Sequence, residues 1–352
     1  MNSQPEAARE SAPIVHADLP PTMSAIVQDR YGSPEEVLRL ERVPAPRPEG
    51  DQVVVRVHAA SIHVGDLVAV RGEPMVARVA TGLTRPKQRI PGTDVSGTVA
   101  AVGDTVTQLR VGDEVFGWCS GAFSEYVSDS EERFVPKPAN LTLAQSAAIG
   151  VSASTALQLL RGRVQPGARV LINGASGGLG SFAVQIAVAL GADVTGVCGS
   201  ANVETVRTLG AAHAIDYTQH DFTEGTERYD FILDNVGNHS LGRTRSVLTE
   251  HGVLQSNNGT AGGRWFGTLG TVLHTAVASW FTKRQAPPSI KFSNRPDLLE
   301  LRALIEAGSV SPLIDRAYPL AEAASALSHV GRGHARGTVL IAIGSQGTGA
   351  RP

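Results

Sequence analysis

Cysteine is almost missing from this chain: Cys119 and Cys198 are the only two among 352 residues, far apart in the sequence. Two such thiols build no disulfide framework and fit a reducing compartment. Long apolar runs are missing too. No stretch of about 20 apolar residues occurs, so no membrane-spanning helix is expected. Strong charge of either sign is lacking: 31 Lys and Arg stand against 33 Asp and Glu, for a formal net charge of −2. The basic residues are scattered, which argues against nucleic acid or an anionic membrane surface as a partner. Internal repeats and low-complexity tracts are also absent.

What is present is apolar material, 42% of residues, enough to bury a large core in a chain whose length suggests two domains. Residues 1–22, MNSQPEAARESAPIVHADLPPT, mix acids, prolines and polar residues with no apolar centre. They read as a disordered tail and not as a signal peptide. The expectation is a soluble cytoplasmic protein.

From 23 to 139 the pattern is short β-like segments broken by Gly and Pro. DQVVVRVHAASI alternates, and DVSGTVAAVG and GDEVFGWC are strand-like with Gly turns between them. Such spacing predicts a small barrel or sandwich. After RFVPKPANLT the grammar changes. TLAQSAAIGVSASTALQLLRG is helical in period, with Thr142 as N-cap. Strand and helix then alternate: ARVLIN, a helix over 179–190, ADVTGVC, a helix over 202–209, HAIDY, YDFILDNV, a helix near 240–249, and GVLQSN. That βαβ alternation predicts a parallel sheet with helices on both faces, an α/β fold. The barrel-like domain runs over 23–139 and the parallel-sheet domain over 140–284. The segment 285–346 ends in the strand GTVLIAI, which is expected to return to the first domain.

The segment VLINGASGGLGSFAVQIA places a glycine-rich turn between an apolar strand and a helix. Against the dinucleotide fingerprint it aligns as Ala175-x-Gly177-x-x-Gly180, with Ala175 standing where a glycine usually makes the tight turn. Gly177 would let main chain approach a pyrophosphate, and Gly180 would let the helix pack on the strand. Amides around Ser176, Gly178 and Leu179 would face the phosphates at a helix N-terminus. An NAD-preferring unit puts an acid about 20 residues on, at the end of the second strand. Here that strand ends in Cys198-Gly199-Ser200-Ala201-Asn202, with no acid. Ser200 and Asn202 are donors for a 2′-phosphate, Tyr217 adds a hydroxyl, and NADPH is the expected cofactor.

With these motifs in view, the chain resembles a medium-chain dehydrogenase/reductase of the zinc-free quinone oxidoreductase (zeta-crystallin-like) branch. The resemblance rests on IPGTDVSGTVAAVG, RVGDEVFG, NGASGGLGSFAVQIA, LGAAHAIDY and GHARGTVLI, and runs from Met23 to Gly344. The branch signature departs at Ala168 and Val188. The resemblance implies a GroES-like β-barrel domain plus a Rossmann doubly wound parallel-sheet domain, and often a homodimer. It also implies no metal. The positions that hold zinc in the family's alcohol dehydrogenases correspond to His63, to Gly92-Thr93-Asp94 and to a place within IGVSAST, and no such set closes a zinc site.

The implied reaction is hydride transfer from NADPH to a quinone or an α,β-unsaturated carbonyl, with the protein supplying orientation, a dry pocket and a donor for the developing oxygen. His63 stands at the first lost metal position. A histidine, with an ordinary pKa of about 6.5, can hydrogen-bond that oxygen and deliver a proton. The alternative is a histidine satisfied by a neighbour such as Asp66. Asp66 is expected to hold its loop through backbone bonds, and Asp94 to serve a turn or a neighbouring side chain. Asn235, Val236 and Gly237 end a parallel strand, the edge where ligands bind in such sheets, and Asn257 ends the next. Arg336 in GHARG either meets a cofactor phosphate or makes a surface salt bridge. The segment 264–284, with Trp265, Phe266 and Trp280, has helical apolar spacing and would cap the pocket or lie in a dimer contact. Two rival functions stay open: a carbonyl or alcohol dehydrogenase, and a non-catalytic NADPH-binding protein.

Overall fold

The computed structural model describes residues 19–257, 286, 293–333 and 335–344. Residues 1–18 of the expected tail and the apolar segment 264–284, with Trp265, Phe266 and Trp280, lie outside the described residues.

The first half of the chain is β-rich. A two-stranded antiparallel sheet joins β1 (Thr22–Val27) to β2 (Arg39–Pro44), with α1 (Pro34–Val37) between them. β3 (Gln52–Ile62) is the long central strand of a second sheet, followed by α2 (Val64–Arg71) and α3 (Arg78–Thr81). β4 (Asp94–Val102), β5 (Glu114–Trp118) and β7 (Phe134–Pro136) follow β3 in that sheet, and β6 (Tyr126–Ser130) pairs with β3 as well. Alternation along β3 explains the closure. Val53, Val55 and Val57 join Val95, Val99 and Val115 in one buried cluster, while Val54 packs on the other side with Leu19 and Ala101.

The segment expected to be helical from Thr142 onward is two helices, α4 (Leu143–Ala147) and α5 (Gly150–Leu160). Thr142 caps α4: its Oγ1 accepts from the Gln145 amide at 3.2 Å, and Gln145 Oε1 accepts from the Thr142 amide at 2.9 Å. The break before Gly150 has a distant cause. A Cβ on Gly150 would lie 2.2 Å from Asp94 Cγ, so a strand of the barrel sets the start of α5.

The five strands that follow are all parallel: β8 (Arg169–Asn173), β9 (Asp193–Cys198), β10 (His213–Asp216), β11 (Tyr229–Asp234) and β12 (Leu248–Ser256), in the order β10-β9-β8-β11-β12. α6 (Gly178–Ala189), α7 (Val203–Thr208) and α8 (Leu241–Ser246) connect them. α8 is shorter than the helix expected near 240–249, because β12 starts at Leu248 to pair with β11. The sheet is covered on both faces. Val170 and Ile172 pack in one cluster with Leu157, Phe182 and Ile186, and Leu171 between them packs in another with Ile232 and Leu254. Phe116 and Val135 of the barrel belong to the first cluster, so the two halves share apolar core.

After α9 (Arg295–Glu306), β13 (Ile314–Pro319) and α10 (Ala323–Gly331), the last strand, β14 (Thr338–Ala342), leaves the parallel sheet's side of the chain. It pairs antiparallel with β3, Val339 opposite Ile62, and parallel with β13.

Candidate active site

The strand order β10-β9-β8-β11-β12 reverses direction between β8 and β11, and in such sheets ligands bind outside the carboxyl ends at that point. The glycine loop leaves β8 there. The tight turn falls on Gly174, at φ +80°, and not on Ala175 as the fingerprint alignment suggests. Ala175 is fully buried and its amide donates to Val197 O at 3.0 Å, which makes it a packing residue with no surface for a coenzyme. Gly180 is required by contact: a Cβ there would lie 2.0 Å from Gly174 O. At Gly177 a Cβ would meet only Gly174 O, at 3.6 Å, so the turn offers bare main chain. Gly177 is the N-cap of α6, and Ser181 makes the first backbone bond back to it at 2.9 Å. The amides of Gly178, Leu179 and Gly180 precede that bond, have no partner within the helix, and lie at the positive end of its dipole, the arrangement that suits an anion. Ser176 lies half-buried in the same turn. These residues fit a coenzyme pyrophosphate.

Beside the loop, the ends of β8 and β11 are tied by polar bonds. Asp234 Oδ1 accepts from Asn173 Nδ2 at 2.8 Å and from the amides of Val236 and Gly237 at 3.1 and 2.9 Å. Asn235 Nδ2 donates to Asn173 O at 3.1 Å, and Asn235 Oδ1 accepts from Asn257 Nδ2 at 3.0 Å. Asn235 and Asn257 therefore shape the edge by holding it. Val236 stands out from it, 47% exposed, with its Cγ2 3.0 Å from where a Gly174 Cβ would be. An apolar side chain beside the phosphate loop suits the face of a flat ring.

At the other side of the loop, β9 ends at Cys198 and Tyr217 closes β10. Tyr217 is 56% exposed, and its hydroxyl lies 3.4 Å from where a Gly199 Cβ would sit. Asn202 is the N-cap of α7 and makes no capping bond with its side chain. An acid is present that the local sequence does not reveal. Asp216 lies in register with Cys198 on the adjoining strand, where the Ser200 hydroxyl and Thr218 hold its carboxyl below the usual range. Ser200 also bonds Thr218 Oγ1 at 2.9 Å, so its hydroxyl is committed within the protein and is not the open phosphate donor expected. Arg207 pairs with Glu204 at 2.6 Å on the exposed face of α7.

The barrel meets this edge through the returning strand. Gly177 and Gly337 form a parallel bridge, and Thr338 Oγ1 lies 3.5 Å from where a Gly178 Cβ would be. Arg336, the residue before the bridge, is exposed, and no ion pair among the described residues uses it. Two residues past the bridge, Val339 pairs with Ile62, and His63 follows Ile62. His63 is the N-cap of α2, with its side chain 17% exposed. Its Nε2 is 2.7 Å from Thr93 Oγ1 and 3.5 Å from Asp66 Oδ2, while its backbone amide donates to Asp66 Oδ2 at 3.0 Å. Asp66 thus holds the loop through a backbone bond, as expected, and the structure joins His63 to Thr93, which sequence reasoning passed over.

Burial pushes the Asp66 carboxyl up, opposed by the nearby His63, the His63 amide and the Thr93 hydroxyl. Asp94 lies within β4, fully buried, and burial pushes its carboxyl up to about 6. Its Oδ2 accepts from Ser61 Oγ at 3.1 Å and from the Val151 amide of α5 at 2.9 Å. Cys119 and Cys198 are buried, with thiols pushed up by desolvation, which is unlike a nucleophile's surroundings.

Two family models match: an alcohol dehydrogenase GroES-like domain over residues 49–139 and a zinc-binding dehydrogenase over residues 209–341. A Mus musculus protein named mitochondrial NAD(P)H oxidoreductase RTN4IP1 is 33% identical, with 91% of this chain and 89% of its own covered. This chain belongs to the medium-chain dehydrogenase/reductases, in the zinc-free quinone oxidoreductase branch. A chloroplastic NADPH-dependent alkenal/one oxidoreductase of Arabidopsis thaliana is 30% identical, over 92% of this chain and 81% of its own. The solved quinone oxidoreductase of Coxiella burnetii superposes with a TM-score of 0.79 at 28% identity, across 92% of this chain and 100% of that one. One of the two matching models carries zinc in its description. In this medium-chain dehydrogenase/reductase, no group of three or more His, Cys, Asp and Glu among the described residues is arranged to hold a metal. At the family's metal positions the polar atoms bond one another, His63 to Thr93 and Asp94 to Val151. The chain is an oxidoreductase that uses a nicotinamide cofactor.

Proposed function

We propose that this oxidoreductase reduces quinones or α,β-unsaturated carbonyls with NADPH, by direct hydride transfer and without a metal. One observation carries the reading: the bare main chain at Gly177 bridges Gly337, and two residues further the strand pairs with Ile62, beside His63. The coenzyme cradle and the proton donor candidate are thereby joined through one strand. Gly177, Gly178, Leu179, Gly180 and Ser176 would hold the pyrophosphate, with Arg336 at its rim. Val236 and Gly237 would flank the nicotinamide half, and Tyr217 and Asn202 the adenosine end. When bound, the reduced nicotinamide supplies a hydride to the acceptor. The chain's own work is to orient the acceptor, exclude water and place a donor, His63, for the oxygen that gains charge.

Preference for NADPH over NADH is part of this proposal. It is supported by the absence of an acid in residues 199–202 and by the name of the Arabidopsis relative. Against it stands the Asp216 carboxylate, which Ser200 and Thr218 keep hydrogen-bonded. Homodimer formation is proposed on the family resemblance, and a reducing, cytoplasmic location on the two buried free thiols alone, the relatives named above being mitochondrial and chloroplastic; no described helix is long and apolar enough to cross a membrane.

The test is oxidation of NADPH and of NADH by the pure protein, with a quinone panel and an enone panel, with and without EDTA. Turnover that survives EDTA and favours NADPH supports the reading. Loss of turnover to EDTA points to the metal-dependent dehydrogenase. Tight coenzyme binding without turnover on either panel points to a binding protein.

A further inference from the structure

Asp216 closes β10 and is buried, 8% exposed, with donors around its carboxyl. Oδ1 accepts from the Thr218 amide at 3.0 Å and from Thr218 Oγ1 at 2.8 Å, and Oδ2 accepts from Gln219 Nε2 at 2.9 Å. A carboxylate of ordinary acidity is ionised at neutral pH and only accepts. The one hydrogen of the Thr218 hydroxyl is therefore spent on Asp216. Ser200 Oγ lies 2.9 Å from the same Thr218 oxygen, and with that hydrogen gone Ser200 is the donor of the pair. A relay results, from Ser200 to Thr218 to Asp216. It runs from the exposed loop after β9 to a buried acid on the adjoining strand. Ser200 turns its hydrogen inward and leaves its lone pairs for whatever lies outside.

The end of the second parallel strand is where the adenosine ribose of a dinucleotide lies in such sheets. The two nicotinamide coenzymes differ there by one group. NADH carries a ribose 2′-hydroxyl, which can donate. NADPH carries a 2′-phosphate, which is negative and calls for donors or a cation. Ser200, held in the relay, is neither, and residues 199–202 hold no Lys or Arg. We propose that Asp216 limits this protein's selectivity for NADPH: through Thr218 it fixes Ser200 as an acceptor for the ribose 2′-hydroxyl of NADH, and its charge opposes the 2′-phosphate of NADPH. This rests on the reading that a nicotinamide coenzyme lies along the glycine loop. Ser200 meets the ribose, and Thr218 and Asp216 are positioning residues behind it. In an NAD-preferring unit the acid stands at the end of the second strand and bonds the ribose itself. Here it stands one strand further over and acts through two hydroxyls, so NADH remains a usable coenzyme beside NADPH.

The experiment is fluorescence titration of the full chain with NADPH and with NADH, in wild type and two variants. Ser200→Ala, at an exposed position, removes the acceptor. It should weaken NADH by about 3- to 10-fold, the loss of one neutral hydrogen bond, and leave NADPH within about twofold. Asp216→Asn removes the charge and keeps an oxygen for Thr218. It should tighten NADPH by about 3- to 10-fold and leave NADH within about twofold. A purely structural Asp216 would move both coenzymes together, so the ratio of the two affinities is the deciding readout. Ser200→Ala that weakens NADPH and spares NADH shows Ser200 donating to the phosphate and overturns the relay's direction. An Asp216→Asn ratio equal to wild type overturns the role of Asp216, with coenzyme binding itself intact. A wild-type chain that binds neither nucleotide overturns the coenzyme reading, and this assignment falls with it.

Discussion

Gly177 and Gly337 lie side by side in a parallel bridge, 160 residues apart in the chain. One belongs to the loop after the first parallel strand, and the other opens the strand that returns to the barrel. Neither has a side chain, so main chain meets main chain where a phosphate would lie.

Gly177 has φ −79° and ψ 173°, which any residue adopts, and a Cβ there would be clear of the fold. Gly177→Ala should therefore fold with an unchanged melting temperature and lose NADPH affinity by about tenfold or more. Gly180→Ala should instead lower the melting temperature, since its Cβ would lie 2.0 Å from Gly174 O. Differential scanning fluorimetry and coenzyme titration separate the two. Equal affinity in Gly177→Ala would remove the cradle from the account.

Arg336 is exposed beside the bridge. Arg336→Ala should weaken NADPH about tenfold, as expected for losing one charge-assisted phosphate contact, and should flatten the salt dependence of binding. An affinity and a salt slope equal to wild type would make Arg336 a plain surface residue.

Asp94 ties β4 to α5 and gives a pH signature. Its carboxyl is pushed up to about 6 in the folded chain from an ordinary 3.8, so the folded state favours the protonated form. The stability this group contributes is complete below about pH 4 and is lost as pH rises through about 6, a decline of roughly 2–3 kcal/mol. Asp94→Asn keeps an oxygen for Ser61 and the Val151 amide but does not titrate. Urea unfolding at pH 5 and pH 8 should show wild type losing more stability than Asp94→Asn over that interval. Parallel losses would contradict the assignment.

Much of this was legible in the residues. Gly177 and Gly180 follow from spacing, because the fingerprint is local and its helix and strand flank it directly. The strands of the barrel and the capping of α4 by Thr142 follow from alternation and from a box four residues long. What escaped depends on neighbours distant in sequence. Asp216 comes beside the end of β9 only through strand register with Cys198. The break before α5 is set by Asp94, 56 residues before Gly150. The role of Gly174 was hidden because a glycine run does not say which member takes the positive φ. His63 and Thr93 meet across 30 residues, a contact that no period encodes.

The central claim is that hydride passes directly from coenzyme to acceptor in this protein. The most direct measurement uses NADPH carrying deuterium at the nicotinamide C4, each face in turn, with an enone as acceptor and mass spectrometry of the product. One face is expected to give product with a single deuterium on the former β-carbon. Reduced product free of deuterium from both faces, or coenzyme bound with no reduction of any acceptor, would contradict the account.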